Sequence, residues 1–160
     1  MSLHITIGCM FSGKTSDLIS IYNKLLLIDN NLLLINSIKD NRYNDNSITS
    51  HNNISINSLV LDNLKEIPLD KYNLSKYIII DESQFFNDLY EFVLNAINNN
   101  NKYIYIYGLN GDFNRLNFGD IYKLYPHADN IKLLKAFCKI CNNGNEAIFS
   151  KKIINNNKKI

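Results

Sequence analysis

The sequence has no tryptophan, only three cysteines and only two arginines in 160 residues. Three cysteines, two of them spaced as Cys138-Lys139-Ile140-Cys141, argue against a disulfide framework and for a reducing compartment. Neither charge is in excess. With 17 basic and 15 acidic side chains the formal charge is +2, and no cationic run precedes the tail, which excludes a basic nucleic-acid coat. Long hydrophobic runs are missing as well. The longest, around residues 25–28 and 32–35, fall far short of the roughly 20 apolar residues a membrane helix needs. Residues 1–7 lack the charged region and apolar run of a signal peptide. The expected location is the cytoplasm, with no membrane and no nucleic acid among the partners.

A hydrophobic fraction of 46% with 20% charged residues lies near the globular average, so wholesale disorder is excluded. The length suits one compact domain with a small appendage. Usage is skewed: 28 Asn, 24 Ile and 15 Lys against 2 Arg. Asn, Ile, Lys and Tyr share A/T-only codons, so an AT-rich genome accounts for the skew. The Asn tracts therefore carry little information, and each Arg, Gly and Phe carries slightly more.

Residues 3–7 form a short apolar run ending at Gly8, which predicts a buried strand. From Lys14 to about Ile28, Leu18, Ile19, Ile21, Tyr22, Leu25 and Leu26 recur at helical spacing. Residues 32–36 predict a second strand, closing a strand–loop–helix–strand unit. Residues 40–57 are polar and alternating and are expected to form a loop or irregular hairpin. The run Tyr77-Ile78-Ile79-Ile80 suits a central parallel strand covered on both faces. Ser83 is placed to cap a helix running through Phe86, Leu89, Tyr90, Phe92, Val93 and Ile97. Residues 103–107 predict another strand, ending at Gly108. The expected fold is α/β, a three-layer sandwich with a mainly parallel sheet of the phosphate-loop NTPase type. The expected division is a core over 1–129, a small lobe over 130–154 and a disordered tail over 155–160.

Gly8-Cys9-Met10-Phe11-Ser12-Gly13-Lys14-Thr15 fits G-x-x-x-x-G-K-[ST], between a predicted strand and a predicted helix. The glycines let backbone N–H groups converge on phosphate oxygens, Lys14 brings a point charge, and the Thr15 hydroxyl can ligate Mg²⁺. From the chain's own residue frequencies a chance match arises in about two of a thousand such sequences. The loop predicts ATP and Mg²⁺ binding, with Cys9 a spectator within it. Asp81, after three isoleucines, suits the strand-end acid that holds the Mg²⁺ shell. Glu82 beside it can accept a proton from an attacking hydroxyl or water.

Taken in order, Met10-Phe11-Ser12-Gly13-Lys14, Asp40-Asn41-Arg42-Tyr43, His51, Asp81-Glu82-Ser83-Gln84-Phe85-Phe86, Gly108-Leu109-Asn110-Gly111-Asp112-Phe113-Asn114-Arg115 with Phe118-Gly119, and Cys138-x-x-Cys141 resemble the thymidine kinases of the cellular and poxvirus type. The resemblance covers about residues 5–152. It implies transfer of the ATP γ-phosphoryl group to the 5′-hydroxyl of thymidine, giving dTMP for DNA synthesis, by a homotetramer. By that resemblance Glu82 is the general base, Asp40, Arg42 and Gln84 join the ATP site, and Lys14 with Arg42 neutralises the transferred group. Arg42, in a chain that otherwise uses Lys, marks a place where a guanidinium is wanted. Met10, Phe85, Leu109, Phe113 and Phe118 match the family's base pocket, Phe113 foremost. Phe86 and the tyrosines of 103–107 read as core, and His51 as a loop residue.

The sequence departs from the family toward its end. The resemblance implies a four-cysteine zinc site, of which Cys138 and Cys141 are one half, and no second C-x-x-C follows. Lys152 stands at the family's arginine position, and residues 142–145 carry a two-residue insertion. The lobe is expected to be zinc-ribbon-like and incomplete, with the family's closing loop over the base missing and thymidine turnover weak. Two other classes stand beside the kinase: a non-catalytic ATP-binding relative without the substrate lid, and a phosphate-loop ATPase in which Glu82 activates water.

Overall fold

A computed structural model describes residues 1–40, 47–49 and 55–152. The apolar runs become strands β1 (Ser2–Gly8), β2 (Leu32–Ser37), β6 (Tyr77–Ile80) and β7 (Tyr103–Gly108). Helix α1 (Lys14–Leu26) follows the phosphate loop, and α3 (Leu89–Asn98) precedes β7. Between β2 and β6 lie short strands β3 (Ser47–Thr49), β4 (Ser55–Asn57) and β5 (Leu59–Leu61), then a short helix α2 (Leu69–Leu74). β3 and β4 pair antiparallel within the stretch expected to form a loop or irregular hairpin. Strand β8 (Asn130–Leu134) and the small hairpin of β9 (Ala136–Phe137) and β10 (Glu146–Ala147) complete the described chain.

The main sheet runs in the order β5-β2-β6-β7-β1-β8, and every neighbouring pair is parallel. A parallel sheet must be covered on both faces, because crossover helices return over it. Alternation along the strands divides the core accordingly. Leu3, Ile5, Leu33, Ile35, Ile78, Ile80, Ile104 and Ile106 face Leu89, Val93, Ala96 and Ile97 of α3. Leu34, Tyr77, Ile79 and Tyr107 face Leu18, Ile19 and Leu25 of α1. Each Leu, Ile or Val among them contributes about 1.5–3 kcal/mol through burial, so the two helices are fixed by these stripes rather than by propensity.

Two departures from the sequence pattern have simple causes. Residues 130–134, grouped by their pattern with the small lobe, form the sixth strand of the main sheet through pairing with β1. As an edge strand, β8 is mostly exposed, so it carries no continuous apolar run. Ser83 caps no helix: its hydroxyl donates to the Tyr107 carbonyl at 2.7 Å. The turn after β6 is a single 3₁₀ turn, and α3 begins only at Leu89.

Candidate active site

All six strands are parallel, so their C-terminal ends open on one edge, where the connections diverge and ligands of open α/β sheets bind. β1 delivers the phosphate loop there, β6 delivers Asp81 and Glu82, and β7 lies between them. Gly13 forms the N-cap of α1 at φ 87°, a left-handed backbone that glycine takes without a Cβ clash. No side chain caps the helix, which leaves the first-turn N–H groups directed at the loop's concavity. The Lys14 side chain is buried, and its ammonium donates to the carbonyls of Gly8 (3.1 Å) and Cys9 (2.9 Å). The Ser12 hydroxyl oxygen is buried without a hydrogen-bond partner. An orphaned hydroxyl, an open helix N-terminus and a cation in one loop fit the oxygens of a polyphosphate.

Mg²⁺ keeps several waters and takes only one or two protein oxygens beside those of the phosphates. The Thr15 hydroxyl and the buried Asp81 carboxylate supply that set, so the residues present fit the ion. Asp40, just beyond β2, lies at the same edge of the sheet and accepts from the Asn36 amide at 3.4 Å. Arg42 and His51 lie outside the described residues.

Glu82 is 7% exposed and sits at φ 47°, a conformation costing a non-glycine residue about 1–2 kcal/mol. Its surroundings hold it there. Asp81 Oδ1 accepts the Glu82 N–H at 2.9 Å, and the Gln84 amide donates to Glu82 Oε2. Gln84 Oε1 accepts the Leu109 N–H at 3.1 Å, which ties Glu82 to the loop after β7. Gln84, expected at the nucleotide, is thus buried between the carboxylate and that loop. Gly119 closes the loop at φ 64°, where a Cβ would lie 2.2 Å from the Gln84 carbonyl.

The residues expected around a base divide by exposure. Met10 and Phe113 are well exposed, Phe113 at 52%, while Phe86 is wholly in the core. Phe85 and Phe118 stack edge to face at 5.4 Å, and Leu109 is half-buried beside Gln84. The exposed pair thus presents apolar area at the surface, whereas Phe85 and Phe118 pack against each other.

Residues 147–152 form a strap that the sequence did not reveal. The Ala147 carbonyl accepts the Cys9 thiol at 3.2 Å, and the Ser150 hydroxyl accepts the Met10 N–H at 2.9 Å. The Ile148 carbonyl accepts the Asn110 amide at 2.9 Å. The Arg115 guanidinium lies 4.0 Å from the Phe149 ring, and the Lys152 ammonium 5.3 Å from the Phe113 ring. One strap thereby joins the phosphate loop to the loop after β7. Cys9 is a tether rather than a spectator.

Cys138 and Cys141 lie between β9 and β10, on a turn in which the Cys141 N–H donates to Cys138 Sγ at 3.4 Å. That donation leads the effects that push the Cys138 thiol below its ordinary range, toward the thiolate a metal prefers. Among the described residues no cluster of three or more His, Cys, Asp or Glu is placed to hold a metal. Two thiols do not by themselves close a tetrahedral zinc site. Among the described residues no helix is long and apolar enough to cross a membrane.

Comparison with known proteins gives one consistent result. The chain matches the family described as thymidine kinase over residues 1–160. It is 35% identical over 153 residues to thymidine kinase a of Arabidopsis thaliana, covering 93% of this chain and 63% of that protein. It is 35% identical over 159 residues to the thymidine kinase of Fowlpox virus, covering 97% of this chain and 85% of the viral protein. To the thymidine kinase of Amsacta moorei entomopoxvirus it is 40% identical over 149 residues, covering 88% and 80%. The chain thus spans less than two thirds of the plant relative's length and most of the poxvirus relatives'.

Proposed function

The chain belongs to the thymidine kinase family, and from that membership and the geometry of the site we propose that it transfers the γ-phosphoryl group of ATP to the 5′-hydroxyl of thymidine. One observation carries the reading: a buried, strained Glu82 is fixed by Asp81 and Gln84 at the sheet edge that also carries the open N-terminus of α1.

Glu82 accepts the proton of the 5′-hydroxyl as that oxygen attacks. General-base assistance of this kind is worth about 10²–10⁴ in rate. Lys14 and the amides of the phosphate loop meet the charge spread over the transferred group, with Arg42 assigned to the same task. Phosphoryl transfer needs little covalent chemistry from the protein, so positioning and charge do most of the work. Asp81 and Thr15 would hold Mg²⁺, whose charge would neutralise the triphosphate. Met10, Phe113, Phe118, Phe85 and Leu109 bind the base, where a flat apolar slot accepts a pyrimidine and disfavours the larger purines. Zinc at Cys138 and Cys141, a homotetramer and a cytoplasmic location complete the reading by family likeness.

The test is ADP release with ATP, Mg²⁺ and each deoxynucleoside in turn, repeated with Glu82→Gln. Thymidine-dependent release that falls by at least about 100-fold in the variant supports the kinase. Release that needs no nucleoside makes the protein an ATPase, and ATP binding without release makes it a non-catalytic relative.

A further inference from the structure

We infer that Asp17 is a positioning residue that sets the phosphate-binding end of α1 on the sheet and, with Lys132, keeps that end electropositive. The inference rests on the ATP-binding reading of the loop. Asp17 lies in the first turn of α1, three residues after Lys14, and its N–H donates to the Gly13 carbonyl at 3.0 Å. Its Oδ2 accepts the Tyr107 hydroxyl at 3.0 Å, and its Oδ1 accepts the Lys132 ammonium at 2.5 Å.

The positions of those two donors give the contact its meaning. Tyr107 is on β7 and Lys132 on β8, the two strands that flank β1. In the sheet register both are partners of the same residue, Thr6 of β1. Tyr107, Thr6 and Lys132 thus form one row across three strands, two residues before the phosphate loop begins at Gly8. A single carboxylate spans that row, one oxygen to Tyr107 and the other to Lys132. The helix that carries Lys14 and Thr15 is pinned to both sides of the strand that delivers the loop.

The charges add a second effect. A carboxylate in a helix's first turn favours the helix, yet it also repels an incoming polyphosphate. Lys132 neutralises Asp17 directly, and as a half-exposed side chain it does so without being needed for the core. Loss of the lysine should weaken anion binding while the fold stays intact.

Direct binding of MgATP and, separately, of thymidine to the whole chain tests the inference by calorimetry, with melting temperatures measured alongside. Asp17→Ala is expected to weaken MgATP by about 10-fold and Lys132→Met by about 3-fold, with thymidine affinity within about 2-fold of wild type. Asp17→Glu is expected to recover part of the MgATP affinity. A contact that only stabilised the fold would lower the melting temperature and weaken both ligands together, and that result overturns the inference. Unchanged MgATP affinity in Lys132→Met overturns it as well, and this variant decides the matter if Asp17→Ala does not fold. Wild-type protein that binds no MgATP overturns the kinase reading and this inference with it, whereas wild-type binding with unaffected variants overturns this inference alone.

Discussion

Gln84 donates its side-chain amide to the carboxylate of Glu82 while its carbonyl accepts the backbone N–H of Leu109, so the proposed base is steered by the loop after β7. Both side chains are buried, and Gly119 leaves space for the Gln84 backbone carbonyl. The orientation of the base is therefore a property of two loops that meet, and each can be disturbed separately.

Removing that steering without removing the base is expected to slow the chemistry. Gln84→Ala should lower kcat by about 10- to 100-fold, since a misplacement of about 1 Å can cost that much. Affinity for ATP, measured by direct titration, should change little, because Gln84 contacts Glu82 and Leu109 rather than the phosphate loop. Equal losses in ATP affinity and kcat would return Gln84 to the nucleotide site.

Phe113 and Phe86 should separate binding from folding. Phe113 is half exposed, so Phe113→Ala should leave the melting temperature nearly unchanged and raise the KM for thymidine by about 10-fold or more. Phe86 is 1% exposed beside α3, and Phe86→Ala should cost about 3–5 kcal/mol in urea unfolding. A Phe113 variant that melts early but binds thymidine normally would remove it from the pocket.

Tyr107 gives a pH signature. Burial, and then the neighbouring Asp17 carboxylate, push its phenol well above the ordinary value of 10.0. The folded state therefore keeps a proton that the unfolded chain releases. The associated stability is fully present below about pH 10 and is lost as pH rises further, with a slope of at most about 1.4 kcal/mol per pH unit. Urea midpoints between pH 8 and 11 should fall more steeply for wild type than for Tyr107→Phe. Parallel alkaline limbs would show that the buried phenol makes no such contribution.

Lys139 links the cysteine turn to the phosphate loop, its ammonium lying 3.5 Å from the centroid of the Phe11 ring. Phe11 sits at φ 64°, so its place in the loop depends on such neighbours. Lys139→Ala is expected to cost about 0.5–1 kcal/mol in stability and to weaken ATP by about 2- to 3-fold. Unaltered ATP affinity in the titration would show that the turn and the loop are independent.

The parts legible in the sequence are those written in contiguous residues. The isoleucine run of β6, the alternation of β7, the stripe of α1 and the phosphate loop all declare themselves locally. β5 and α2 did not, being three and six residues long, with no buried residue in α2. Ser83 looked like a cap because a serine before an apolar helix usually is one, yet its hydroxyl is taken by a carbonyl of the neighbouring strand. The ties that join the site, from Met10 to Ser150 and from Tyr107 to Asp17, span 140 and 90 positions. No local pattern encodes such contacts. They follow only once the strand order is known.

The pairing of β1 has a kinetic consequence. β1 finds its neighbours only in β7 and β8, far later along the chain, Ser2 opposite Tyr103 and His4 opposite Asn130. Synthesis at about 5–20 residues per second leaves an emerging β1 without its partners for many seconds. The phosphate loop hangs from that strand, so it lacks its two flanking strands until β7 and β8 have been made. Contacts of such separation fold slowly. A nucleotide held at that loop, as proposed, would act on the finished sheet as a late clamp.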